Sequence, residues 1–119
     1  MALSTVAQII ADVRVLLQDT IAPYRYTDDE LVIALNVTLL DTRRIRPDLF
    51  LGDGTTTNFD DPAPFTAVNT DEVDIENGFR PAIVFGVVGH ALWRDQEDIQ
   101  DNRASAFIDM YNKKLLGLN

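Results

Sequence analysis

Four carboxylates fall within six residues at Asp71, Glu72, Asp74 and Glu76. Such a cluster has two chemistries open to it, holding a hard cation or general acid and base work. A helix-loop-helix calcium site needs oxygen ligands at fixed intervals, a central glycine and a terminal bidentate glutamate, and that spacing is absent. Any cation held here is therefore held casually and weakly. His90 is the only histidine and the chain has no cysteine, so neither a metal centre nor a nucleophile-base pair has convergent partners. It reads as a structural residue beside Trp93. Ser4 and Ser105 lack a glycine-framed elbow, and no glycine-rich phosphate loop is present. Asp28 and Asp29 sit where helix capping already accounts for them. The carboxylate hydrolase is the weakest of the surviving classes. The expectation is a chain without catalytic, cofactor or metal residues.

The acids matter more as charge. From Pro47 to Phe79 the chain runs 33 residues without Lys or Arg, yet holds eight of its nineteen acids and four of its six phenylalanines. The other eleven acids nearly balance the ten bases, so almost all of the net charge of -9 sits in this stretch. A structureless loop of that length is uncommon in a compact domain, and its aromatic and branched residues argue against disorder. Gly52-Asp53-Gly54 and Asp61-Pro62-Ala63-Pro64 are turn clusters, and Val68, Val73 and Ile75 lie in short strand-like runs. One or two irregular β-hairpins are predicted within an arm spanning about 47–79.

The elements around the arm are helical. With 119 residues and 46% hydrophobic content the chain suffices for one domain, 1–119, with its own core. The absence of cysteine excludes disulfide frameworks, thiolate zinc sites and thiol redox chemistry, and fits an intracellular setting. Neither a secretory leader nor a membrane span is predicted, the longest apolar run being Ala82 to Gly89. Val6, Ile9, Ile10, Val13, Leu16 and Leu17 predict a first helix over about 5–18, capped by Ser4 or Thr5 and ended before Pro23. Thr27 and Glu30 form a capping box opening a second helix over about 28–45, closed at Arg46-Pro47. Its stripe of Leu31, Val32, Leu35, Leu39 and Ile45 is joined by Ile33, Val37 and Leu40 on other faces, which predicts cover from two sides. A third helix over about 81–98 carries Ala82, Gly86 and Gly89 on one face, a strip that admits a close-packed backbone. A polar break near Gln100-Asp101-Asn102 precedes a fourth helix over about 102–116, stopped by Gly117. The predicted fold is all-α, a four-helix bundle-like domain with a long loop or β-hairpin arm inserted between helices two and three.

Val13-Arg14-Val15-Leu16-Leu17-Gln18-Asp19-Thr20, Tyr24-Arg25-Tyr26-Thr27-Asp28-Asp29-Glu30-Leu31, Leu35-Asn36 and Arg44-Ile45-Arg46-Pro47-Asp48 together resemble the head-to-tail adaptor proteins of tailed bacteriophages, also called head completion or connector proteins. His90-Ala91-Leu92-Trp93-Arg94-Asp95, Asn102-Arg103-Ala104 and Phe107 are similar to that family's closing helices. The resemblance implies a small α-helical virion protein, assembled as a homo-oligomeric ring, commonly twelvefold, below the portal protein and above the tail or nozzle. It implies a location at the neck of the virion, with the host cytoplasm as the place of assembly, and no membrane partner.

Such a subunit needs a separate patch for each neighbour besides its core. Candidate contacts are Phe50, Leu51, Phe59 and Phe65 of the arm, Arg43, Arg44 and Arg46 ending helix two, and Leu115, Leu116 and Leu118 at the C-terminus. The three arginines also serve as partners for the helix dipole, and the aromatics also have the option of folding back on their own domain. Asp71, Glu72, Asp74 and Glu76 are candidate channel acids, since a negative wall lets genomic DNA slide without sequence-specific binding. The alternative from another class is a small acidic helical binding module that engages a basic protein partner.

Overall fold

The computed structural model describes residues 3–49, 64–94 and 98–117. A short strand, β1 (Leu3–Thr5), runs directly into α1 (Val6–Leu17). Then follow α2 (Asp28–Ile45), β2 (Glu72–Glu76), α3 (Arg80–Arg94) and α4 (Asp98–Leu116), with single 3₁₀ turns at Pro47–Leu49 and Asn77–Phe79. The fold is mainly helical with one small antiparallel sheet, in line with the helical class predicted.

Thr5 closes β1 and caps α1. Its Oγ1 accepts the Gln8 N–H at 3.2 Å while Gln8 Oε1 accepts the Thr5 N–H at 3.0 Å, a reciprocal capping box. The next two amides, Val6 and Ala7, donate to the carbonyls of Asp71 and Asn69, both at 2.9 Å. The segment ahead of β2 therefore satisfies helix-terminal donors that would otherwise lack partners. β2 then pairs with β1, Leu3 opposite Glu76 and Thr5 opposite Glu72, with an irregular register between. This corrects the predicted pairing of the Val73-Ile75 run within the arm. Val73 and Ile75 do alternate into the core, but their partner is a three-residue N-terminal strand too short to leave a periodic signal. Val68 lies outside any strand and packs half-buried against the core. The turn clusters at 52–54 and 61–63 lie outside the described residues.

α2 begins at Asp28 behind Thr27, whose Oγ1 accepts the Glu30 N–H at 3.1 Å. The Thr27 hydroxyl donates to Glu30 Oε1 at 3.2 Å, so the glutamate returns to the side chain of the cap where its amide was expected. Leu31, Val32, Ala34, Leu35, Thr38, Leu39 and Thr42 face inward. Ile33, Val37 and Leu40 remain 47%, 40% and 47% exposed. Among the described residues only one side of α2 is covered, so the second cover that was predicted is not supplied by them.

α3 packs against each of the other three helices. Ala82, Ile83, Val84, Val87, Val88, Ala91 and Leu92 are all buried, the pattern of a helix apolar nearly all round. The small-residue strip works inside the chain. A Cβ on Gly86 would lie 2.6 Å from Thr38 Cγ2 and 2.9 Å from Tyr111 Cδ1, and one on Gly89 would lie 2.6 Å from Ile108 Cδ1. α4 starts at Asp98, so the predicted polar break falls within its first turns. A polar seam ties α4 to α2. Thr42 Oγ1 accompanies the Thr38 carbonyl at 2.8 Å and Tyr111 Oη at 2.7 Å. Since the one Thr42 hydroxyl proton goes to the carbonyl, the tyrosine hydroxyl donates to Thr42.

Candidate functional site

Arg14 organises the loop between α1 and α2. Its side chain is 9% exposed and carries three charge-assisted bonds: Nη1 donates to Asp19 Oδ2 and to the Tyr26 carbonyl, both at 3.0 Å, and Nη2 donates to Asp28 Oδ1 at 2.7 Å. The Tyr24 ring lies over the guanidinium, 4.0 Å from its carbon to the ring centroid. Asp19, also buried, completes its shell from the backbone, accepting the Arg25 N–H at 2.8 Å and the Tyr26 N–H at 2.9 Å. α1 itself ends on Gln18 in the left-handed region, φ 58°. The result is a well-tied loop that presents Ile21, 82% exposed, and Tyr24 to solvent. Arg14, Asp19, Tyr24, Tyr26 and Asp28 belong to the runs that carry the adaptor resemblance, and here they act as loop scaffolding.

Among the described residues, three apolar surfaces remain once the core has closed. The first is this loop. The second is the outer face of α2, Ile33, Val37 and Leu40. The third is an open cleft of about 450 Å³ between α1 and α3, lined by Asp12, Val15, Leu16, Arg80, Pro81, Val84 and Phe85. Arg80 Nη2 reaches Asp12 Oδ2 at 2.7 Å in that lining, and Val15 is largely exposed. Trp93 and Leu116 are further exposed apolar groups.

The predicted contact residues divide. Leu115 is fully buried, which corrects its assignment as a contact: with Ala104 and Tyr111 it forms the inward stripe of α4. Leu116, one position on, is exposed. Phe65 is half-buried against the core, and the Asn36 carboxamide clamps its backbone, Nδ2 donating to the carbonyl and Oδ1 accepting the N–H, each at 2.9 Å. For this aromatic the arm folds back on its own chain. Arg46 donates from Nη1 to the Leu115 carbonyl at 2.7 Å and lies 5.6 Å from the Phe79 ring centroid, so it locks α2 to α4. Arg43 is half-buried, whereas the Arg44 side chain is 77% exposed with a loose 3.8 Å contact to Asp41. Asp71 and Glu72 are exposed. Asp74 and Glu76 stand on β2. Phe50, Leu51, Phe59 and Leu118 lie outside the described residues.

No group of three or more His, Cys, Asp or Glu among the described residues converges as metal ligands would, and no described helix is long and apolar enough to cross a membrane. His90 Nε2 sits 3.2 Å from Asp41 Oδ2, at ion-pair distance but without the alignment of a hydrogen bond. Burial pushes its imidazole below the ordinary 6.5, outweighing the Asp41 carboxylate, which raises it. Burial likewise pushes the Tyr111 phenol above 10. His90, beside Asp41, and Tyr111, bonded to Thr42, both sit where α2 packs against α3 and α4.

Compared with family models, curated proteins and solved structures, the chain matches none. What sequence reasoning missed is largely non-local. The Arg14 cluster has one readable signal, an arginine on the inward side of an apolar helix followed five residues later by an aspartate. The Asn36 clamp joins positions 29 residues apart and has no such signal.

Proposed function

We propose that this chain is a virion structural protein: a bundle-like helical subunit of a head-to-tail adaptor ring that docks below the portal and connects it to the tail. The observation that supports the reading is the apolar surface left on separate faces of a finished domain, the Ile21 loop, the outer face of α2 and the α1–α3 cleft. A subunit with two neighbours in a ring, and partners above and below, needs several distinct patches of this kind. The exposed Asp71 and Glu72 suit a wall that DNA passes without adhering. No chemistry is assigned to the chain in this reading. Its residues hold a shape.

The test is assembly. Mixing the purified chain with portal rings, and counting copies at the neck of particles by electron microscopy, is expected to give a closed ring, twelvefold as the resemblance implies. Particles that lack the chain overturn the reading. A one-to-one complex with a basic protein, without particle association, supports a small acidic binding module instead.

A further inference from the structure

The outer face of α2 has an internal symmetry that points to its occupant. Glu30, Ile33, Val37, Leu40 and Arg44 follow at alternating intervals of three and four residues, so they form one continuous stripe, and each is exposed. The stripe is about 21 Å long at 1.5 Å per residue. Val37 stands at its midpoint, Ile33 and Leu40 flank it, and the ends carry opposite charge. The polarity continues around the helix, with Asp28, Asp29 and Glu30 in the first turn and Arg43 and Arg44 in the last.

We propose that the free chain forms an antiparallel homodimer through this face, two α2 helices crossing on a twofold axis at Val37. In that arrangement Ile33 of one copy meets Leu40 of the second copy, and Glu30 meets Arg44 of the second copy, at both ends. A parallel pairing would set Glu30 against Glu30 and Arg44 against Arg44. The helix dipole accounts for acids at the start of α2 and bases at its end, but it does not account for the uncovered apolar row between them. The groups that face the ends are not otherwise saturated. Among the described residues, Glu30 accepts from the Thr27 hydroxyl with one oxygen, and Arg44 makes a loose 3.8 Å contact to Asp41. Asp41, beside the stripe, is turned toward His90 as well. The net charge of -9 opposes self-association at long range. That repulsion is screened beyond roughly 8 Å in physiological salt, while contacts at the seam are not.

The inference goes beyond the ring reading and does not rest on it. A twofold contact at Val37 belongs to the free chain, and it must open before the same stripe meets a neighbour in a cyclic ring.

The chain has no cysteine, so single introduced thiols report the register directly. Under mild oxidation Val37→Cys is expected to give a disulfide-linked dimer, Ile33→Cys alone to stay monomeric, and a mixture of Ile33→Cys with Leu40→Cys to cross-link unlike copies. In sedimentation of the cysteine-free protein, Val37→Asp is expected to weaken the dimer at least about tenfold by placing a charge in the seam. Glu30→Arg and Arg44→Glu each weaken it, and the two together restore it, with helicity checked by circular dichroism. Monomeric sedimentation at millimolar concentration overturns the proposal. So does self-cross-linking of Ile33→Cys in preference to Val37→Cys. Neither result alters the count of copies at the neck, and an empty neck leaves the dimer untouched.

Discussion

Replacing Arg14 with Met keeps a long apolar stem and removes the guanidinium. The structure sets the size of the loss. The bond to Asp28 reaches a carboxylate that is 62% exposed, and a solvent-screened pair of that kind contributes about 0–1 kcal/mol. The bond to Asp19 is different, since both side chains are under 10% exposed. Removing one partner of a buried pair destabilises by about 3–5 kcal/mol, because the other charge is left without compensation. Asp19 keeps two backbone N–H donors, from Arg25 and Tyr26, which places the loss near the lower limit, about 3 kcal/mol. With a urea slope of about 1.5 kcal/mol per molar, the unfolding midpoint falls by about 2 M. Arg14→Lys keeps the charge but not the fork that spans three acceptors, so it falls between the two. A midpoint drop under about 0.5 M at unchanged slope refutes the reasoning. It would mean that the two amides alone satisfy the carboxylate.

Asn36→Ala removes both bonds to the Phe65 backbone and is expected to lower stability by about 1–2 kcal/mol and to speed amide exchange at Phe65; unchanged exchange there rejects the clamp. Gly86→Ala sets overpacking of about 1–3 kcal/mol against a helix-propensity gain of about 1 kcal/mol. Its new methyl meets Thr38 and the Tyr111 ring, both fixed in the polar seam, so a net loss of about 1 kcal/mol is expected in urea unfolding, and a gain contradicts the packing. His90 has a folded pKa below 6.5. Between that value and 6.5 the unfolded chain binds more protons, so the stability it contributes is whole above 6.5 and declines as pH falls through this window. Urea midpoints against pH should therefore slope more steeply in the native chain than in His90→Gln, and equal slopes exclude the effect.

Local chemistry was legible and distant partnership was not. Thr27, Arg46-Pro47 and the acids of α2's first turn mark a helix whose ends the fold reproduces, because capping depends on neighbours three residues away. The glycine strip correctly signalled close approach, but Thr38, Tyr111 and Ile108 as the approaching groups follow from how α2 and α4 cross α3. Leu115 and Leu116 illustrate the limit. Both are leucines near a chain end, and helical phase alone turns one into the core and the other out. β1 escaped notice because three residues carry no period, and its partner lies about 70 residues away. The excess of apolar residues on α2 was plain from the pattern, whereas the side left bare depends on where α3 and α4 pack.

The outer stripe of α2 has a magnitude that decides what kind of contact it can make. Full burial of an Ile, Val or Leu side chain contributes about 1.5–3 kcal/mol, and Ile33, Val37 and Leu40 already have slightly more than half of their surface covered. Each therefore has about 1 kcal/mol left to gain, roughly 6 kcal/mol for a symmetric pair of stripes. The two end-to-end charge pairs add about 0–1 kcal/mol each. Association itself costs about 4–15 kcal/mol in lost rigid-body freedom. Against the low end of that cost the surplus is at most about 4 kcal/mol, a Kd of about 1 mM. A stripe of this size cannot hold a permanent dimer, and a permanent dimer would bar the surface from a ring. It closes when copies are concentrated and opens on dilution or against a better-fitting neighbour, the behaviour that the proposed ring subunit would need before assembly.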